Sequence, residues 1–141
     1  MARYDGLDSD LTTKEMFMKN WIGLWVIGIS IIHTVFAFIF FRAGLDSILK
    51  DGIFNTVGQD SLRAASVWFL LFGFLLFILG LVLVAWEKST RTPLPVSAAW
   101  GLLFLGILGI VLMPVSGFWL IFPPVVAILL NTRRGVAQTK N

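Results

Sequence analysis

His33 is the single histidine of this chain, and it lies in a run, residues 21–41, that carries no Asp, Glu, Lys or Arg. A titratable side chain is costly in an apolar medium, so its position calls for a partner. Ser30 stands one helical turn earlier and Thr34 is adjacent. An imidazole so placed can hydrogen-bond a hydroxyl or carbonyl of another helix, or contact a lipid or quinone. It can also ligate a haem or chlorin axially, or relay protons. A relay lacks a second titratable group in any of the apolar runs. Two-histidine haem ligation is impossible within one chain, although Met113 could offer a thioether and a chlorin needs only one imidazole. No metal site is expected, with His33 as an axial ligand in the cofactor alternative alone.

Pro123-Pro124 is the second chemically pointed feature. Neither proline has an amide hydrogen, so the carbonyls of Trp119 and Leu120 lose their helical partners. A neighbour must satisfy them, or the turn must line a cavity. A hydrogen bond from His33 to this broken turn would account for both oddities. The candidate ligand-binding set is therefore His33, Ser30, Thr34, Trp119 and Pro123, in the outer half of a bilayer.

The elements that position these residues follow from composition. The chain has 141 residues, 57% hydrophobic and 13% charged, where a soluble domain carries about 25% charged residues. The charge-free runs are 21–41, 64–86 and 96–130. About 20 apolar residues cross the hydrocarbon as a helix, so the first two are one span each. The third is too long for one span and contains Met113-Pro114-Val115-Ser116-Gly117, a turn signal. It reads as a hairpin of spans 96–113 and 117–131. The expected fold is all-α, an integral membrane four-helix bundle in a single domain, 1–141.

An even number of spans places both termini on one side, and the cations choose it. Eight of the 11 Lys and Arg fall in the N-terminal segment, the middle loop and the tail, and three in the loop 42–63. The termini should be cytoplasmic. With the N-terminus inside, His33 lies about 18 Å above Trp21, in the outer half of the membrane. Trp21, Trp86 and Trp100 then fall near one interface, Trp68 and Trp119 near the other, as tryptophans prefer.

The polar segment 1–20 holds Thr12-Thr13-Lys14-Glu15, a capping box that would start a helix near Thr13. It also argues against a cleaved signal peptide, since no small-residue cleavage site follows the apolar run. Within 42–63, Leu45, Ile48 and Leu49 have helical spacing and Asp46 can pair with Lys50, giving a short surface helix stopped at Gly52. Asn55, Thr56, Gln59 and Asp60 follow as ordinary solvated loop residues, or alternatively as the lid of a pocket opening outward, with Asp60 or Ser61 as a helix cap. Thr92-Pro93-Leu94-Pro95 makes a stiff connector. Gly23, Gly28, Gly73, Gly80, Gly106 and Gly109 mark faces where helices can approach closely.

The chain has no cysteine, which excludes thiolate chemistry and cysteine-held metals within it. Ser30 near His33 lacks the rest of a hydrolytic triad. No span holds the acidic residue on which small four-span drug exporters rely, and there is no phosphate-binding glycine loop. The scattered cations exclude a nucleic-acid motif.

Trp21-Ile22-Gly23, Trp25, Ile27-Gly28, Ile32-His33-Thr34, Asn55-Thr56-Val57-Gly58, Trp68-Phe69-Leu70-Leu71-Phe72-Gly73, Glu87-Lys88, Trp100-Gly101-Leu102-Leu103, Leu112-Met113-Pro114, Ser116-Gly117-Phe118-Trp119 and Pro123-Pro124 together resemble a bacterial family of small integral membrane proteins. That family is known only as a domain of unknown function. The resemblance covers nearly all of 21–130. It implies a multi-pass four-span protein of the bacterial inner membrane and no activity, with His33 and the double proline in the family pattern.

The expected function is that of a non-catalytic accessory subunit, partnered by the lipid bilayer and by other membrane-protein subunits or further copies of itself. The alternatives are a free-standing binder of a small hydrophobic molecule near His33, or a haem or chlorin protein through His33. No cofactor is expected.

Overall fold

A helix that is apolar around its whole circumference has no single face to bury. Small residues then decide where it meets a neighbour. The computed structural model describes residues 21–89 and 94–138, the stretch 131–138 by its backbone only. The Thr12–Glu15 capping box, Thr92-Pro93 of the connector and residues 139–141 lie outside the described residues. The described residues form five α-helices and one 3₁₀ turn: α1 (Trp21–Phe40), α2 (Arg42–Asp51), α3 (Ser61–Ser89), α4 (Val96–Leu112), the 3₁₀ turn (Gly117–Ile121) and α5 (Phe122–Gln138). The all-α expectation holds, with no strand among the described residues.

α1 and α3 pack antiparallel along a glycine seam. Gly23 meets Val84 and Gly80, Ile27 meets Gly80, and Thr34 meets Gly73, so α3 retreats as α1 advances. A Cβ on Gly23 would lie 2.5 Å from the Val84 amide nitrogen and 3.0 Å from the Gly80 carbonyl oxygen. The two backbones touch there, and only glycine allows it. α4 and α5 form a second antiparallel pair, with Gly109 against the Phe118 ring and Gly106 against Ile121 and Phe122. The chain reverses at 113–116, where the turn was expected. The two pairs join at one end, where Ile22, Ala99, Val125 and Ile128 form a buried cluster.

α2 is a short helix in the expected place, with only Gly44 and Ile48 buried. It packs along the first turns of α3, with Gly44 against Ser66 and the Leu62 carbonyl, and Ile48 buried. It ends at Gly52, whose φ of 87° suits glycine. Asp46 pairs backward with Arg42 at 3.5 Å, in place of the expected pair with Lys50. Asp60 caps α3, its Oδ1 accepting from the amides of Leu62 at 2.9 Å and Arg63 at 3.1 Å. Arg63 donates to the Thr56 carbonyl at 2.7 Å and forms an ion pair with Asp51. The loop is thus stitched to the helix it precedes, and Thr56 and Asp60, lid residues in the alternative reading, serve its structure.

α1 and α3 are long and apolar enough to cross a membrane; α4 and the stretch Gly117–Leu130 are apolar but shorter. Only 22% of the apolar stretch of α1 and 11% of that of α3 is buried. A core helix of a soluble domain would hide most of such a surface.

Candidate functional site

α1 carries the candidate residues, and its two opposite faces differ. Residues 23, 27, 30, 34 and 37 fall on the side toward α3, with 33 at its flank. Residues 21, 24, 25, 28 and 32 fall on the other side. This partition follows from 100° per residue.

On the α3 side, the His33 Nε2 lies 3.0 Å from the Phe69 carbonyl oxygen, and the bond requires the tautomer with its proton on Nε2. That carbonyl is followed one turn later by Gly73, which has no Cβ to cover it. The imidazole stacks on the Phe69 ring at 3.9 Å and meets Phe72 edge-on at 5.5 Å. Ser30 is buried and donates to the Ile27 carbonyl at 2.7 Å. Thr34 packs on Gly73. His33 and Thr34 therefore serve the α1–α3 contact, while Ser30 is bonded within α1. A haem or chlorin metal on Nε2 would have to displace the Phe69 carbonyl.

The expected bond between His33 and the broken turn is not formed. The orphaned carbonyls find other donors. The Phe122 amide donates to the Trp119 carbonyl, closing a 3₁₀ turn. The Trp25 indole Nε1–H donates to the Leu120 carbonyl at 2.9 Å, supplying from α1 the hydrogen that Pro124 lacks. The two prolines fall at the second and third positions of α5, in the first turn where amide donors have no helical acceptor. There is no mid-helix break. Trp119 is 57% exposed and donates to the Pro114 carbonyl at 2.9 Å; Pro123 is exposed. The structure keeps His33, Ser30 and Thr34 together and does not bring Trp119 or Pro123 to them.

On the opposite face, α1 and Leu120 bound an open groove of about 350 Å³, lined by Trp21, Leu24, Trp25, Gly28, Ile32 and Leu120 among others. It contains none of the five candidates. The signal for it in the sequence was Gly28, the one glycine of α1 that has nothing within 4 Å of a Cβ position. A further residue escaped sequence reasoning. The Glu87 carboxylate, at the end of α3, accepts from the amides of Ile22 at 3.3 Å and Gly23 at 3.0 Å. A carboxylate at the start of a helix satisfies its free donors and opposes its dipole.

Three substitutions test this geometry. His33→Phe is expected to cost about 1 kcal/mol of stability in detergent, the scale of one interhelical hydrogen bond; an unchanged melting temperature would contradict the His33–Phe69 bond. Trp25→Phe should cost about 1–2 kcal/mol by orphaning the Leu120 carbonyl. Pro124→Ala restores an amide there, so adding it to Trp25→Phe should recover part of the loss. A double-mutant cycle with additive effects would contradict this exchange of donors.

Comparison with curated proteins and with solved structures finds no match. A family model described as a family of unknown function, DUF6463, matches residues 18–135. The match takes in α1 to α4 and most of α5, and on that extent the chain belongs to this family.

Proposed function

We propose that the chain is a non-catalytic integral membrane protein that serves as an accessory subunit of a larger membrane assembly. One observation carries the reading: among the described residues the helices expose apolar side chains, while the polar side chains at and around the candidate site are hydrogen-bonded within the chain. Ile31, Val35, Phe38, Trp68, Leu75, Phe104 and Val111 are exposed on α1, α3 and α4. His33, Ser30, Trp25, Arg63 and Glu87 each have intramolecular partners. Such a surface suits lipid and other membrane helices and offers no prepared acid, base or nucleophile.

The finer reading is four spans, with both termini on the cytoplasmic side of a bacterial inner membrane. The excess of cations on the terminal side supports the orientation. α4 and α5 are short for a full crossing, so local thinning of the bilayer accompanies them. The test is purification of the tagged chain from its native membranes in mild detergent. Stoichiometric co-purifying subunits are expected. A monodisperse 15.7 kDa protein carrying only lipid or quinone would favour the binder instead.

A further inference from the structure

The groove on the outward face of α1 has the dimensions and setting of a site for one lipid chain. From Trp21 to Ile32 it extends about 16 Å along the helix axis, close to half of the roughly 30 Å hydrocarbon thickness. Its floor is deepened at Gly28 by the missing side chain. Its walls are fixed in advance: Trp25 is held by the Leu120 carbonyl and meets Trp21 edge-on at 6.4 Å. A preformed apolar wall lowers the ordering cost of binding.

Charge separates the two ends of the molecule. At the α2 end, the three cations Arg42, Lys50 and Arg63 are balanced in number by Asp46, Asp51 and Asp60, with Arg42 and Arg63 each paired to aspartates. At the Trp21 end, the Glu87 carboxylate is taken up by the amides of α1, while Lys88 closes α3. The α5 backbone carries Arg133 and Arg134 beyond the Ile128 level at the same end. The groove therefore starts where positive charge accumulates.

We propose that this groove seats one acyl chain of an anionic phospholipid, with the phosphate at the Trp21 end. The proposal rests on the membrane reading above and gives that surface a ligand. A chain leaving bulk lipid gains no hydrophobic energy, so preference comes from the headgroup and the fixed walls.

Native mass spectrometry of the full chain, offered equal dioleoyl phosphatidylglycerol and dioleoyl phosphatidylcholine, tests it. The first retained lipid should be phosphatidylglycerol by about fivefold, the effect of one basic residue near a headgroup. Gly28→Phe, which fills the groove, should abolish that preference. Ile39→Phe, on the same helix and outside the groove, should keep it. Equal retention of the two lipids by the unmodified chain would overturn the proposal, whatever the variants do. So would an unchanged preference in Gly28→Phe, or a dimer that this substitution dissociates, which would place a second copy in the groove. Release of the chain from membranes by alkaline carbonate would instead defeat the membrane reading beneath it.

Discussion

Gly23→Val is expected to cost at least about 3 kcal/mol of stability and to abolish the monodisperse folded species in detergent. The added carbons meet the Val84 amide nitrogen and the Gly80 carbonyl oxygen, backbone atoms that cannot turn aside. α1 must lift from α3 along its length, which also loosens Thr34 from Gly73 and His33 from the Phe69 carbonyl. At Gly28, five residues along on the opposite face, an added Cβ meets nothing within 4 Å, and Gly28→Val should change stability by less than about 0.5 kcal/mol. Fluorescence-detected size exclusion after stepwise heating compares the two. Similar melting of both variants would contradict the backbone contact at Gly23.

The second large effect is expected at Glu87. Replacing it with alanine removes the acceptor for the Ile22 and Gly23 amides and leaves those donors in a half-buried site. Hydrogen bonds to a charged partner are about twice as strong as neutral ones, and the expected loss is about 2 kcal/mol. Glu87→Gln keeps one acceptor oxygen and should lose less. The loss should be local at first. Hydrogen exchange at Ile22 and Gly23 should quicken before exchange in the middle of α1, because the first turn frays when its donors are free. Uniform quickening along α1, or none, would contradict this role of Glu87.

Much of the framework was legible in the sequence because its signals are local. The apolar runs gave α1, α3 and α4 within a few residues, Gly52 stopped α2, Asp60 capped α3, and Pro114 with Gly117 marked the reversal. Five of the six glycines singled out do sit in helix contacts. The long-range partners were not legible. A helix apolar on every side has no periodicity to say which face meets which neighbour. The Pro123-Pro124 turn therefore stands out as a partner for His33 in the sequence, whereas the Phe69 carbonyl that it meets carries no sequence signal. No spacing rule ties Trp25 to that turn 95 residues away, although its indole N–H is the donor the turn needs. Asp46 had a cation four residues away on each side, and spacing does not choose between Arg42 and Lys50.

The same limit governs function. The sequence offers residue types that could bear chemistry, but chemistry depends on unengaged groups. In the structure His33 and Ser30 hold α1 to itself and to α3, and the double proline is repaired from α1. What the sequence could not express is the outward face of α1, a surface defined by which residues do not pack.

The proposed topology has four helices crossing the bilayer and both termini on one side. The chain has no cysteine, so any single introduced cysteine is the sole thiol. Ser9, Phe54, Ser89, Val115 and Thr139 are replaced one at a time, and intact cells are treated with a membrane-impermeant maleimide. Phe54 and Val115, 96% and 100% exposed, should label from outside, and Ser9, Ser89 and Thr139 only after permeabilisation. Labelling of Phe54 without Val115, or of either terminus from outside, would contradict the four-span account.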